Sequence, residues 1–358
     1  MRNPLPASSS RLPSISSADT KHDNNFSLLR MLAAFAVLVS HSYFLTTGRV
    51  EAEPLFELTG MTLGTFAVHC FFVMSGFLVT DSLLRRQSVP NYLWARTLRV
   101  FPALIVMLLI TVFGLGPIVS STSVGDYFSA TQTWRYLLDN LTLVFGVAWS
   151  LPGVFEHNPH PATFNGSLWT LTYEVRLYAA LALLWLLGGA LGSGRRDTWL
   201  KVFVLIGVAA AGLQVILWQF GYLVESQSAR LGFMFFSGVA YQLFRDRISL
   251  SVRPFWILLL VLLASLVNQS VFLIVYLVAL PYLLLFLAYV PAGMVRQYNK
   301  LGDYSYGLYI YAFAIQQTVV YAMPDISAAG LILMSSVSAI VLAALSWHFI
   351  ERRALQFK

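Results

Sequence analysis

The chain has 358 residues, of which 58% are hydrophobic and 11% charged, against about 25% charged in an ordinary soluble domain. A water-soluble globule is therefore excluded, and apolar runs of about 17 to 22 residues recurring along the chain define an all-α polytopic membrane protein. The net charge of +7 does not point to nucleic acid, because the basic residues sit between the apolar runs, where a positive-inside bias puts them.

Residues 1–25 hold six serines and three prolines and too little apolar surface to fold, so a disordered tail is expected there. It is not a secretory signal: the first apolar run begins only near Ser27, is long enough to span, and lacks a small-residue cleavage site. Residues 26–352 form the membrane domain. Its expected spans run from about 28 to 46, 62 to 82, 100 to 119, 168 to 190, 200 to 219, 230 to 246, 254 to 269, 271 to 290, 303 to 323 and 328 to 348, ten helices in all.

The run from about 134 to 148 is ambiguous, being short and interrupted by Asp139 and Asn140. If it does not cross, 19 of the 23 basic residues fall on the side of the N-terminus. If it crosses, the downstream basic residues move to the other face and the bias is lost. Both termini are thus expected in the cytoplasm. Residues 120–167 then form one long outer loop carrying a re-entrant or surface helix, and a loop of that length points to function.

Ionisable groups inside spans are costly and default to functional hypotheses. Arg30 and His41 stand eleven residues apart on the first helix, which returns them to within about 20° of one face with a rise of about 16 Å. That spacing suits an elongated ligand with a phosphate at one end and a reactive atom at the other. It equally fits a snorkelling Arg30 and a His41 bonded to a neighbouring helix. Arg96 and Arg99 in ARTLRVFP lie one turn apart and make a fork for phosphate, although stop-transfer charges explain such a pair as well. Glu174 in NGSLWTLTYEVRLY lies at the same calculated depth as His41, so the carboxylate is expected to fix the imidazole tautomer and leave the free nitrogen as general base.

His69 and Cys70, adjacent in the second helix, point about 100° apart, and no second ligand pair accompanies them, so no metal is expected. A single cysteine also excludes a disulfide framework. Ser75 and Gly76 read as close helix packing. His157 and His160 read as polar loop residues.

Several segments together resemble the acyltransferase 3 family of integral-membrane O-acyltransferases. They are SLLRMLAAFAVLVSHS, FFVMSGFLVTDSLLRR, the RTLR of ARTLRVFP, GSLWTLTYEVRLY, DYSYGLYIY and HFIERR. The match runs from about Ser27 to Glu351, and the order and spacing of these stretches make it specific. The resemblance implies an acyl donor, usually acetyl-CoA, entering from the cytoplasm, and a hydroxyl of an exopolysaccharide, O-antigen or lipid-linked glycan as acceptor. It implies His41 as the catalytic histidine, acting as base or acyl carrier, Arg30 as its tunnel partner, and Arg96 and Arg99 as donor-binding residues. It also implies a bacterial inner membrane. Tyr311 and Ala312 stand where many relatives carry tryptophan and histidine, so no role is carried over there. A glycan transporter or flippase is the alternative class, and the hydropathy order shows no internal repeat in its favour.

Overall fold

The computed structural model describes Ile15, residues 24–144 and residues 146–358. The expected disordered tail thus lies almost wholly outside the described residues. The described residues are 80% helical, and the only β pairing among them is an isolated bridge between Ser120 and Val154.

The principal helices are α1 (Phe26–Thr47), α2 (Leu63–Arg86), α3 (Val89–Leu109), α4 (Thr131–Thr142), α5 (Trp169–Ala190), α6 (Arg196–Gln219), α7 (Gln227–Leu243), α8 (Val252–Ala264), α9 (Gln269–Tyr289), α10 (Ser305–Ala322) and α11 (Ala328–Ser346). Seven helices, α1, α2, α3, α5, α6, α9 and α11, are long and apolar enough to cross a membrane. The other three expected spans correspond to α7, α8 and α10. The first two are short, with 17 and 13 residues. α10 is long enough but diluted by tyrosines and by Gln316 and Gln317, which are fully buried. A helix enclosed by other helices can carry polar groups that lipid would reject.

α4 covers the ambiguous run. Its 12 residues extend only about 18 Å, short for a span, and it packs on the rest of the protein by burying Thr133, Tyr136 and Asn140. The Asn140 amide donates to Tyr136 O and Ala148 O, each at 2.9 Å. α3 begins at Val89, well before residue 100, because Ser88 caps it and Pro90 occupies its first turn. It runs on through a π turn at Ile110–Leu115 as one unit of 31 residues to Val119. Arg96 and Arg99 therefore lie inside a formed helix.

The bundle is built around α2. Its contact with α7 is backbone-close: a Cβ at Gly76 would lie 2.0 Å from Phe235 O, and one at Gly238 would lie 2.1 Å from Val73 O. α1 packs on α2, α10 and α11. It ends at Gly48, where φ is +70° and an added Cβ would lie 2.8 Å from Pro159 O, so the position favours glycine and the long loop seats directly on this end of α1. Gln317 on α10 holds the same loop, donating to His160 O at 2.9 Å and Thr163 O at 2.8 Å and accepting from the Asn158 amide at 2.7 Å.

Candidate active site

Two cavities open along α1. The first, of about 820 Å³, is lined by Arg30, Arg96 and Arg99 together with Ser75, Glu174 and Tyr178. The second, of about 1270 Å³, is lined by His41, Glu53, His69, Trp169, Trp218 and Arg230. Val68 and Tyr309 line both and stand between them. The Tyr309 hydroxyl is fixed by Thr170 Oγ1 at 2.6 Å, and its ring packs edge-on to Phe71 at 5.7 Å.

In the arginine cavity the cations are not equivalent. Asp303 Oδ2 accepts from Arg30 at 3.0 Å and from Arg99 at 2.6 Å, while the Ser305 hydroxyl donates to Oδ1 at 2.5 Å. Arg99 also reaches Glu351 at 3.4 Å and lies 5.7 Å from the Tyr306 ring centroid. Glu351 is delivered there by a π turn at Trp347–Glu351 and accepts from the Ser346 hydroxyl at 2.9 Å. Arg96 bonds no carboxylate among the described residues, and its buried Nε has no partner. The expected fork of Arg96 and Arg99 is thus divided: Arg99 is committed to two carboxylates, whereas Arg96, and Arg30 beyond its one bond to Asp303, keep donors for an incoming anion.

The expected pairing of Glu174 with His41 is not formed. Glu174 accepts from the Ser75 hydroxyl at 3.2 Å and from the Tyr178 hydroxyl, in the arginine cavity. Equal depth along two helices says nothing about direction, and Tyr178, four residues on from Glu174, offers a nearer donor on the same face. His41 instead sets its ring edge-on to Phe313 at a centroid distance of 5.0 Å, and its buried Nδ1 has no hydrogen-bond partner. α1 is held beside it by Gln316, whose amide donates to Leu38 O at 2.8 Å and Ser42 Oγ at 2.7 Å. A second imidazole is near: His160 packs on Phe44 at 4.4 Å and on Phe313 at 6.3 Å. Burial pushes its pKa below the usual histidine value, so it stays neutral at neutral pH.

Asp303 and Glu351 stand inside DYSYGLYIY and HFIERR, so the motifs held the signal without assigning the residues a role. Glu53 had no such signal. It is buried and accepts from the Ser40 hydroxyl at 2.5 Å and from the Leu63 amide, closing the end of the histidine cavity. Ser75 and Gly76 divide: the glycine packs against α7, while the hydroxyl faces the cavity. His69 Nδ1 lies 3.0 Å from the Tyr276 hydroxyl.

The family profile described as "Acyltransferase domain", that of the acyltransferase 3 family, matches residues 23–348. This chain belongs to the acyltransferase 3 family. It is 29% identical over 353 residues to an "O-acetyl transferase" of Shigella phage Sf6, covering 93% of this chain and 96% of that protein. It is 30% identical over 366 residues to "Nodulation protein 10" of Rhizobium leguminosarum bv. viciae, covering 94% of each. No solved structure matches significantly. The protein is an acyltransferase and a multi-pass membrane protein, with charged and polar side chains gathered in two neighbouring cavities within its helices.

Proposed function

We propose that the protein is an inner-membrane O-acyltransferase of a bacterial cell, with ten crossings and both termini cytoplasmic, that moves an acetyl group from acetyl-CoA to a hydroxyl of a surface glycan or its lipid-linked intermediate. The observation that carries this reading is that the two cavities share Val68 and Tyr309 in their linings, with an arginine that bonds no carboxylate among the described residues, Arg96, in one and an unpartnered imidazole, His41, in the other. The relative named as an O-acetyl transferase supports the choice of acetyl and oxygen.

In this reading CoA binds at the cytoplasmic end, with Arg96 meeting phosphate and Arg30 and Arg99 held by Asp303 as the wall of the site. Ser75, Glu174 and Tyr178 face the donor chain, and the thioester reaches the junction at Tyr309. His41 takes the proton of the acceptor hydroxyl as its oxygen attacks the thioester carbonyl. The C–S bond then breaks, and the CoA thiolate leaves with the proton returned from the imidazolium, giving the ester and free CoA. Glu174 serves the donor and not the base.

Purified full-length protein incubated with labelled acetyl-CoA should release CoA and pass the label to a glycan acceptor. His41→Ala should bind CoA normally and lose transfer by a factor of about 10² to 10⁴. Wild-type transfer in that variant, at matched membrane levels, overturns the assignment. Transport of glycan with no release of CoA would favour the flippase class instead.

A further inference from the structure

A third cavity, of about 870 Å³, adjoins the histidine cavity and shares Trp169 and Gln227 with it. Trp149 of the long loop and Tyr173 and Arg176 of α5 also line it. Arg176 stands seven residues beyond Trp169, about 10 Å along the helix, and is exposed on a helix apolar enough to cross the membrane. Its guanidinium donates to Val144 O at 2.8 Å and lies 6.0 Å from the Tyr173 ring centroid, and among the described residues no carboxylate meets it. An arginine on the outer face of a spanning helix is costly, and one neutral acceptor leaves most of its five donors free. Arg230 in the neighbouring cavity differs, being bonded to Glu225 at 2.8 Å and to Gln227 at 2.9 Å.

The same face of α5 continues below Arg176. Ala180, Leu183 and Leu184 follow at the four-, seven- and eight-residue spacings that keep one helix stripe. They line an apolar groove of about 720 Å³ against Phe203 and Ile206 of α6 and Phe236 of α7. Along one line there are thus aromatic faces leading to His41, then a cation, then a hydrocarbon groove.

Resting on the acyl-transfer reading above, we propose that this line is the acceptor site and that the acceptor is a glycan carried on a polyprenyl diphosphate. Arg176 holds the diphosphate, Trp149 and Trp169 face the sugar rings, and the isoprenoid lies in the groove between α5 and α6. A free polysaccharide has no use for an arginine at membrane depth or for the groove beneath it, whereas an amphiphile with an anion between sugar and tail uses all three parts. The sugar is thereby led through the wall shared at Trp169 toward His41.

The test is binding of a long-chain polyprenyl diphosphate, the matching polyprenyl alcohol and phosphatidylglycerol to the full-length protein in phosphatidylcholine nanodiscs, read by native mass spectrometry. The wild type should prefer the diphosphate to the alcohol by about tenfold or more. Arg176→Gln should abolish most of that preference, Arg176→Lys should keep much of it, and Arg49→Gln, outside the groove, should not change it. Leu183→Trp, which fills the groove without touching Arg176, should weaken binding of diphosphate and alcohol alike while CoA binding persists, and it serves if Arg176→Gln does not fold. No preference in the wild type, an unchanged preference in Arg176→Gln, or phosphatidylglycerol binding as tightly as the diphosphate overturns the proposal. Diphosphate binding without any acyl transfer would instead remove the enzymatic reading and keep the site. Release of CoA from acetyl-CoA without diphosphate binding would do the reverse.

Discussion

Arg96 and Arg99 stand one turn apart on α3 with their charges in opposite states. Arg99 is closed in by Asp303 at 2.6 Å and Glu351 at 3.4 Å, whereas the buried Nε of Arg96 has no partner. Losing Arg99 leaves buried Glu351 with no cation and Asp303 with Arg30 alone, and breaking a buried pair costs about 3 to 5 kcal/mol of stability. Losing Arg96 strands no carboxylate and, if CoA binds as proposed above, removes a phosphate contact that contributes about 1.5 to 3 kcal/mol. Arg96→Ala should therefore weaken CoA binding in calorimetry with an unchanged melting temperature, and Arg96→Lys should recover part of it because lysine lacks the planar fork. Arg99→Ala should lower the melting temperature. Equal losses of CoA affinity in both variants with no change in melting would return Arg99 to phosphate binding.

Glu174, bonded to Ser75 and Tyr178, lies in the arginine cavity, which the proposed function makes the donor side. Glu174→Gln should raise the KM for acetyl-CoA several-fold and leave the pH dependence of kcat where it was, because that dependence follows the protonation of His41, whose imidazole must be neutral to accept the hydroxyl proton. Had the carboxylate oriented the imidazole, its neutralisation would move the acid limb of the profile to lower pH. A shifted limb in Glu174→Gln, with KM unchanged, would restore the dyad.

Much of this architecture is legible in the chain because lipid leaves few choices. Apolar runs must be helices, and α1, α2, α5, α6, α9 and α11 fall close to their expected limits. α7 and α10 bury much of their length against other helices, and on α10 the polar residues serve the interior: Gln316 and Gln317 fasten α1 and the long loop. At the site, helical spacing gave the faces of Arg30 and His41 but not their partners. Partner choice depends on how helices distant in sequence are rotated, as with Asp303, 204 residues from the Arg99 that it binds. The Glu174 pairing failed for that reason, since depth is local and azimuth is not.

The α2–α7 seam should be the least tolerant packing position. A methyl at Gly238 would meet Val73 O at 2.1 Å, and one at Gly76 would meet Phe235 O at 2.0 Å. In both cases the obstacle is backbone, which cannot rotate away, so overpacking should cost about 1 to 3 kcal/mol or more. Gly238→Ala should unfold at a lower temperature than wild type, and Gly232→Ala, with open space around it, should not. Equal melting of the two variants would show that the helices can separate at no cost.

The charge asymmetry fixes the expected orientation. Reporter fusions after Gly194 and after Lys300 should read cytoplasmic, and one near Gly153 should read external, because 19 of the 23 basic residues then lie inside. α4, at 12 residues, is too short to reverse the order. A cytoplasmic signal at Gly153 would invert the donor and acceptor ends assigned here.

Gln316 offers a way to disturb His41 without touching the cavity. Its amide spans Leu38 O at 2.8 Å and Ser42 Oγ at 2.7 Å, the residues three before and one after His41, and the side chain is fully buried. Leucine in its place fills similar volume but removes both donations, about 0.5 to 1.5 kcal/mol each, and leaves Ser42 Oγ and Leu38 O only their bond to each other at 3.0 Å outside the helix ladder. The segment of α1 that carries the imidazole then loses its tie to α10, while the arginine cavity, some 16 Å away along the helix, is untouched. Gln316→Leu should therefore lower kcat by about tenfold, a displacement effect far smaller than that of removing the base, with the KM for acetyl-CoA unchanged. A parallel rise in that KM would mean that the whole of α1 had shifted. An unchanged kcat would show that His41 holds its position through Phe313 alone.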